Sequence, residues 1–355
     1  MLTEGFSTAV ADPALIALFA PFDTGELTLP SDGRVLFLNA RDGTAARAHF
    51  GPHWLAEQPF KPFADALERA GLRVGTPHDE ERFPWVLLLP PRQRQAARAL
   101  FAHAMRYLAP QGIVVVSVPN AEGAKSAEAD FAALAGPLRC VSRHKCRTFW
   151  TAPGAKPDVA LTKAWLALDE LREIAPGLCS RPGLFAWDRI DAASALLAAQ
   201  LPSDLHGRVA DLGAGYGYLA TQVIARCPDV TAIDLYEADA RALEPARRNL
   251  DHALRDSGRM VQTHAYWHDV TAGLPRRYDA IVSNPPFHQG RADLPQLGRA
   301  FIAAAADALR PHGGLWLVAN RHLSYEATLT ARFAEVRAVA VQGGFKVIAA
   351  HGART

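Results

Sequence analysis

The chain has 355 residues, of which 49% are hydrophobic and 21% charged, and its formal net charge is +2. This composition is typical of a globular protein with full cores, and the small charge excludes a protein that binds polyanions regardless of sequence. No apolar run is long enough to cross a membrane and no basic leader follows Met1. We therefore expect a cytoplasmic protein, which at this length has about two domains.

The first half of the chain has the pattern of an α/β domain. The apolar segment Arg34–Leu38 is followed by a turn-like segment that contains Gly43. Farther on, Ala96–Leu108 is predicted as a helix, a turn leads into the strand Ile113–Val118, and a closing strand covers about Leu138–Thr151. Helices that alternate with apolar strands indicate a Rossmann-like fold.

Two groups of basic residues stand out in this half. The first contains Arg92, Arg94 and Arg98, and the second contains Arg139, Arg143, His144, Lys145 and Arg147. Both groups are expected near the last strands or near the edge of the sheet where a ligand would bind. Contact with phosphate groups and a solvated basic face are both open interpretations.

A linker separates the halves. The segment Ala152–Asp158 is rich in Pro and Gly, a helix is predicted over Ala160–Glu173, and Pro176-Gly177 forms a turn. We therefore place the N-terminal domain at residues 1–152, the linker at 153–181 and the catalytic domain at 182–355.

A glycine-rich turn follows the strand Arg208–Leu212. Its glycines are Gly213, Gly215 and Gly217, and they allow a tight turn and the close approach of a ligand to the backbone. A dinucleotide site or a bare strand-to-helix turn would also fit. The G-x-G-x-G spacing and the preceding Asp211 favour S-adenosylmethionine (SAM), because a carboxylate suits its cationic amino-acid end and sulfonium.

Acidic residues end the next two predicted strands. The strand Val230–Glu237 should present a carboxylate to both hydroxyls of a ribose. Glu237 is the preferred candidate for this contact, and Asp234 would serve if the strand ended earlier. Asp269 follows a further strand and could accept from an adenine amine beside Trp267, His268 or Val270, although a turn or helix-capping aspartate is the alternative.

The most informative segment is Asn284-Pro285-Pro286-Phe287, which follows the apolar strand Tyr278–Ser283. The Asn284 carboxamide and the Pro285 carbonyl can both accept hydrogen bonds, and Phe287 can stack on a planar group. These three residues are the predicted catalytic residues. Two acceptors that hold the hydrogens of an aromatic amine stabilise the positive charge that develops when the nitrogen attacks a methyl group.

These motifs, in this order and spacing, resemble class I SAM-dependent methyltransferases that methylate nitrogen. Phe287–Gly290 completes an N-P-P-F-H-x-G segment similar to that of bacterial ribosomal RNA guanine-N2 methyltransferases. Pro182–Asp191 is similar to their G-x-F-S-x-x-x-x-D segment, and Gly343–Val347 to their last strand. The resemblance implies that Pro286, Phe287 and His288 contact the guanine and that Asn284 also lies beside SAM.

The second half repeats the pattern of the first. The helix Phe301–Leu309, the strand Leu315–Asn320 and a closing strand over about Val336–Ala349 correspond to the elements predicted earlier. In the first half Leu89 stands where the second has Asn284, and most turn glycines are absent. The sequence thus predicts two tandem Rossmann-like class I methyltransferase domains, of which the N-terminal one is degenerate, binds no SAM, and supports the catalytic domain or binds RNA. An unrelated α/β domain is the alternative.

The functional prediction is SAM-dependent methylation of guanine N2 in ribosomal RNA. The preferred substrate is the 16S RNA of the small subunit, either free or within an assembled subunit. Adenine N6 in nucleic acid and glutamine N5 in a protein offer the same amine hydrogens, so they remain alternatives, as does a non-catalytic RNA-binding assembly factor. The four cysteines form no C-x-x-C pair, so no metal site is expected. The sequence leaves the oligomeric state open, with a monomer as the working expectation.

Overall fold

The structure, a computed structural model, describes residues 12–29, 33–286, 288–289, 292–293 and 295–354. The described chain divides into two compact units, with the boundary between Glu170 and Leu171. Residues up to Glu170 are called the N-terminal unit and residues from Leu171 onward the C-terminal unit.

The N-terminal unit contains seven strands and six α-helices in its described part. The strands are β1 Val35–Leu38, β2 Trp54–Glu57, β3 Arg73–Val74, β4 Phe83–Leu88, β5 Leu108–Pro119, β6 Leu138–Arg143 and β7 Cys146–Thr151. The helices are α1 Pro13–Asp23, α2 Thr44–Arg47, α3 Lys61–Arg69, α4 Arg94–Tyr107, α5 Ala124–Ala135 and α6 Val159–Leu166. Short 3₁₀ turns cover Asn120–Glu122 and Ala167–Asp169.

The C-terminal unit has the same kinds of element. Its strands are β8 Arg172–Ala175, β9 Leu178–Ser180, β10 His206–Leu212, β11 Asp229–Glu237, β12 Gln262–Trp267, β13 Tyr278–Ser283, β14 His288–Gln289, β15 Ala292–Asp293, β16 Leu309–Asn320, β17 Phe333–Gln342 and β18 Phe345–Ala353. The helices are α7 Ala192–Gln200, α8 Tyr218–Arg226, α9 Leu243–Ser257, α10 Pro295–Ala308 and α11 Glu326–Arg332, with 3₁₀ turns at Ala240–Ala242 and Val270–Ala272.

Each unit is built on one seven-stranded sheet, and the two sheets have the same topology. The order is β3-β2-β1-β4-β5-β7-β6 in the first and β12-β11-β10-β13-β16-β18-β17 in the second. Five neighbouring strands are parallel in each sheet, and β7 and β18 run antiparallel to their neighbours. The predicted pair of Rossmann-like domains is confirmed. The carboxyl ends of the parallel strands, where such folds bind ligands, lie along one edge of each sheet.

Both faces of the second sheet are covered, so its central strands carry buried apolar residues on both faces. On β13, Ala280 and Val282 pack into one core, while Ile281 between them packs into the core on the opposite face. This alternation directs successive side chains to opposite helix layers. The end of the strand, which Asn284 follows directly, is thereby packed on both faces.

Two local predictions were wrong. The helix expected over Ala160–Glu173 ends at Leu166, and Arg172–Ala175 instead pairs with β9 as an antiparallel ribbon. Each closing strand is in fact a hairpin, β6–β7 in the first unit and β17–β18 in the second. The short hairpin turns, His144-Lys145 and Gly343-Gly344, have positive φ at both residues, and the non-glycine pair concealed the first turn from sequence inspection.

Candidate active site

The glycine turn and the Asn284 segment meet at the carboxyl edge of the second sheet. Strands β10 and β13 are neighbours, with Leu212 paired to Ser283, and the Ser283 hydroxyl donates to the Leu212 carbonyl at 2.8 Å. A methyl group on Gly213 would lie 3.7 Å from Cδ of Pro286. The two motifs, which are separated along the chain, are therefore in contact in the fold.

The turn itself leaves space on one side. Gly217 has φ +82°, and a Cβ there would lie 3.2 Å from Leu235, so α8 packs closely on the sheet. A Cβ on Gly215, in contrast, would meet no described atom within 4 Å. The open side of Gly215 is where a ligand can approach the backbone.

Asp211 lies beneath the turn and is fully buried. Its Oδ2 accepts from the Ala220 amide at 3.1 Å, in the first turn of α8, whereas Oδ1 has no hydrogen-bond partner among the described residues. Burial, opposed by the Ala220 hydrogen bond and aided by the nearby Glu237 charge, raises the pKa of Asp211 to about 7. A buried, unpaired carboxylate oxygen is a favourable partner for a cation.

Glu237 ends β11 and faces the turn. One carboxylate oxygen accepts from the Gly215 amide at 2.7 Å, and the other accepts from the Asp239 amide at 2.8 Å. Burial raises the pKa of Glu237, while these backbone hydrogen bonds lower it. The carboxylate is thus held at the end of the strand beside the glycines.

Asp234, the alternative acid, lies in the middle of β11 and is fully buried. It pairs with Arg208 at 3.1 Å and accepts from the Tyr278 hydroxyl at 2.9 Å, and His264 Nδ1 lies 3.3 Å away. These contacts join β10, β11, β12 and β13 within the sheet. Asp234 therefore lies within a structural network and away from the glycine turn.

Asp269 follows β12 and caps the 3₁₀ turn at Val270–Ala272. Its Oδ1 accepts from both the amide and the hydroxyl of Thr271, at 2.9 and 2.7 Å. Trp267 donates its indole N–H to the Ala238 carbonyl at 2.8 Å, and Val270 is 3% exposed within the core. The capping geometry that was the alternative interpretation of Asp269 is present, at the same sheet edge as Glu237.

Asn284 is oriented by the start of α7. Its Nδ2 donates to Asp191 Oδ2 at 3.0 Å and to the Ser194 hydroxyl at 2.8 Å. Pro285 is buried and Pro286 is exposed. Sequence inspection did not find Asp191 or Ser194 as site residues, although Asp191 ends the G-x-F-S-x-x-x-x-D segment, and this motif position was the available signal.

Phe287, predicted to stack on the base, lies outside the described residues. For His288, the structure describes the backbone, which belongs to β14 and pairs with β15.

Tyr216 connects the glycine turn to two neighbouring elements. Its hydroxyl donates to the Arg189 carbonyl at 3.1 Å, and the Asn249 side-chain amide donates to the Tyr216 carbonyl at 2.8 Å. The glycine turn is therefore tied both to the segment before α7 and to α9.

The corresponding edge of the N-terminal unit is filled by its own side chains. Leu38 pairs with Leu88 and Glu57 as Leu212 pairs with Ser283 and Tyr236, so the next residue on each strand has a defined counterpart. The equivalent positions are Asn39 for Gly213, Gln58 for Glu237 and Leu89 for Asn284.

Two of these counterparts, Gln58 and Asn39, form hydrogen bonds to backbone groups at the same edge of the sheet. Gln58 is 3% exposed, its Nε2 donates to the Ala40 carbonyl at 2.6 Å, and its Oε1 accepts from the Phe60 amide at 2.8 Å. Asn39 donates to the Leu89 carbonyl at 2.7 Å. The polar groups that would face a ligand are thus satisfied within the unit.

Comparison with known proteins identifies the family of this chain. The Methyltransferase small domain model matches residues 176–349, which include the sites described in the C-terminal unit. Ribosomal RNA small subunit methyltransferase C of Shewanella halifaxensis is 30% identical over 302 residues, covering 83% of this chain and 84% of that protein. This chain belongs to the ribosomal RNA small subunit methyltransferase C family. The family member from Psychromonas ingrahamii is 28% identical over 272 residues, or 76% of each chain.

Among solved structures, one shares the fold of this chain over nearly its whole length. It is the T. Thermophilus 16S rRNA N2 G1207 methyltransferase (RsmC) in complex with AdoMet and guanosine, with a TM-score of 0.77 and 24% identity over 98% of this chain and 93% of that one. Within the described ranges, no helix is long and apolar enough to span a membrane, and no group of three His, Cys, Asp or Glu residues could hold a metal ion.

Proposed function

We propose that this chain transfers a methyl group from SAM to the exocyclic N2 amine of a guanine in 16S ribosomal RNA. The contact between the glycine turn and the Asn284 segment carries this proposal, because it brings a donor site and an amine acceptor site to one sheet edge. Family membership supports the same reaction and substrate.

The residues present fit SAM. The open side of Gly215 admits a ligand to the backbone, and the unpaired Asp211 Oδ1 suits a cationic group. We propose that Glu237, and not Asp234, binds the ribose, since Asp234 is committed to Arg208 and Tyr278. Asp269 is proposed to bind the adenine amine through Oδ2, because its hydrogen bonds to Thr271 use Oδ1.

The chain's own residues account for activation of the amine. SAM supplies a methyl group on a sulfonium, whose sulfur keeps the electron pair of the broken bond. Asn284 Oδ1 and the Pro285 carbonyl accept from the two hydrogens of the guanine amine and stabilise the charge on nitrogen as its bond to the methyl carbon forms. The N–H proton leaves afterwards to solvent, so no strong base is required. Phe287, Pro286 and His288 are proposed to hold the unstacked base.

The test is methyl transfer from isotopically labelled SAM to free 16S ribosomal RNA, to assembled small subunits and to protein fractions. We expect N2-methylguanosine after nuclease digestion and mass analysis, with G1207, the guanine modified by the T. Thermophilus neighbour, as the first position to check. Label in N6-methyladenosine or in glutamine would instead support the alternative amine targets, and no transfer at all would support a non-catalytic assembly factor.

We propose that the N-terminal unit binds no SAM and instead contacts RNA. Asn39 and Gln58 fill the edge where SAM would bind. A calorimetric titration of the whole chain should therefore show one SAM per polypeptide, and a stoichiometry of two would contradict the proposal.

Most arginines of the two basic groups are already paired with acids of the same unit. Arg94 and Arg98 both bind Asp130, Arg147 binds Glu128, and Arg143 lies 3.5 Å from Glu26.

The turn between β6 and β7 is the proposed RNA contact. Cys146 pairs with Pro119 and the Asn120 amide donates to the Lys145 carbonyl, so the turn lies at the carboxyl edge of the sheet. His144 and Lys145 are exposed and have φ of +52° and +59°, whereas the equivalent turn of the C-terminal unit is Gly343-Gly344. Left-handed conformations cost a non-glycine residue about 1–2 kcal/mol, which supports a role for these basic side chains.

Replacing Lys145 with serine is expected to raise the KM for RNA several-fold and to lower the salt dependence of RNA binding by about one charge. SAM affinity should not change. Arg73→Ser is the matched control, because Arg73 is also exposed but lies at the amino end of β3, on the opposite edge of the same sheet. Equal effects of the two substitutions would assign the loss to net charge alone.

SAM binding is also expected to depend on the ionisation of Asp211. Burial raises the pKa of Asp211 to about 7, and the carboxylate form is the one that attracts a cation. As pH falls from about 8 to about 6, the ligand-free protein takes up a proton that binding must release, so the Kd should rise up to about tenfold. Calorimetry at several pH values measures this change.

Asp211→Asn is the control, because it removes the titrating group while it keeps an oxygen for the Ala220 amide. The amino group of SAM also titrates, but it does so equally with both proteins. The difference between their pH dependences of Kd therefore measures the contribution of Asp211 alone. Folding stability depends on this group in the opposite direction. A carboxyl with a raised pKa stabilises the native state most below its unfolded value and loses that contribution as pH rises through about 7.

A further inference from the structure

We infer that Asp191 is a positioning residue that fixes which end of the Asn284 carboxamide faces the target amine. The inference rests on the proposed function. Asp191 Oδ2 and the Ser194 hydroxyl accept from Nδ2 of Asn284 at 3.0 and 2.8 Å, so both amide hydrogens are used on the side of α7.

This arrangement selects one of two orientations. An ionised carboxylate can only accept hydrogen bonds. If the carboxamide of Asn284 turned over, its oxygen would face Asp191 Oδ2 at about the same separation, and two acceptors would repel each other. The hydrogen bonds from Nδ2 to Asp191 and Ser194 therefore direct Asn284 Oδ1 away from α7. An acceptor, and not a donor, is what an amine needs at that position.

Asp191 is itself held rigidly. It is the N-cap of α7, and the same Oδ2 accepts from the Ser194 amide at 2.9 Å. Ser194 is only 9% exposed. The segment before α7 is further tied down by the hydrogen bond from Tyr216 to the Arg189 carbonyl. The negative charge of Asp191 beside Nδ2 also polarises the Asn284 carboxamide. This makes Oδ1 a stronger acceptor for a nitrogen that becomes positive.

The first test replaces Asp191 with alanine. We expect kcat to fall about 10- to 100-fold, the range for loss of a hydrogen bond to a charged group, while the KM for SAM stays within about twofold. Asp158→Ala is the matched control, because Asp158 caps α6 in the N-terminal unit and accepts from the Leu161 amide at 2.7 Å. If the two variants lose equal stability and equal activity, Asp191 is only a helix cap and the inference is wrong.

The second test reverses the polarity of the pair. Asn284→Asp alone places two carboxylates in contact and should be nearly inactive. Adding Asp191→Asn supplies a donor to the new carboxylate, which then presents its other oxygen to the amine. The double variant should exceed N284D in kcat by about tenfold. A role limited to capping α7 predicts no recovery, because asparagine caps helices as well as aspartate does.

A third measurement does not require turnover. In the full-length protein with ¹⁵N-labelled asparagine, the side-chain amide signals of Asn284, assigned by their loss in N284A, should shift when Asp191 becomes alanine. An unchanged spectrum would overturn the inference even if the protein is an active methyltransferase. If the signals shifted but the protein methylated no RNA, the role of Asp191 in orienting Asn284 would stand and the proposed function would be rejected.

Discussion

Asn284→Ala is expected to abolish methyl transfer while SAM still binds. The substitution removes the carboxamide that accepts from the amine as positive charge develops on its nitrogen, and loss of one such preorganised group lowers kcat by about 10²–10³-fold. The backbone path of the segment should persist, because the Ser283 hydroxyl still bonds to Leu212 and Pro285 remains buried. Single-turnover transfer of labelled methyl groups to ribosomal RNA measures the effect.

The control for this experiment is Gln262→Ala, which removes an exposed carboxamide at the amino end of β12, on the opposite edge of the sheet from Asn284. Calorimetry with S-adenosylhomocysteine should give the same Kd for the wild-type protein and both variants. If Asn284→Ala lost affinity for this ligand, Asn284 would have to be reassigned from the amine to the donor site.

Glu237→Gln is expected to raise the Kd for SAM about 100-fold, the equivalent of losing two hydrogen bonds that involve a charged group. The reason lies in what surrounds the side chain. Both carboxylate oxygens accept from backbone amides, of Gly215 and Asp239, so the NH₂ of a glutamine must face an N–H donor whichever way it turns. The substitution thus disturbs the glycine turn as well as the proposed ribose contact. Calorimetric titration with SAM measures the loss.

Glu244→Gln is the matched control on α9. Its carboxylate is 68% exposed and pairs with Arg181 at the surface, so its neutralisation should change neither SAM affinity nor stability appreciably. Asp234→Asn should have the reverse effect. It should lower folding stability, because Asp234 binds Arg208 and Tyr278, and it should leave SAM affinity nearly unchanged. A larger effect on SAM affinity from Asp234 than from Glu237 would reverse the proposed ribose assignment.

Motifs that are continuous in sequence were predictable. The glycine turn and the Asn284 segment each consist of adjacent residues whose conformation is set locally, so their types and their strand-end positions could be inferred from the sequence. The repeat of helix, turn and strand likewise indicated two similar sheets. The β6–β7 hairpin was missed because His144-Lys145 is not a usual turn pair, and only its positive φ reveals the turn. The β17–β18 hairpin was missed although Gly343-Gly344 is a known hairpin signal.

Contacts between distant residues were not predictable in the same way. Asp191 and Asn284 are 93 positions apart, and nothing in either segment specifies that a helix N-cap meets a strand end. The choice between Glu237 and Asp234 depended on where β11 ends and on Arg208, Tyr278 and His264 from three other strands. The correspondence of Gln58 with Glu237 required the pairing register of both sheets.

The hydrogen bonds of Gln58 and Asn39 limit how a second SAM site could be engineered into the N-terminal unit. An acid introduced at position 58 would bury a carboxylate against the Ala40 carbonyl, and a glycine at position 39 would leave the Leu89 carbonyl without its donor. Each substitution alone would destabilise the unit by about 1–3 kcal/mol. Such a site would therefore need compensating changes made together, because each single substitution lowers the stability of the fold that has to hold the ligand.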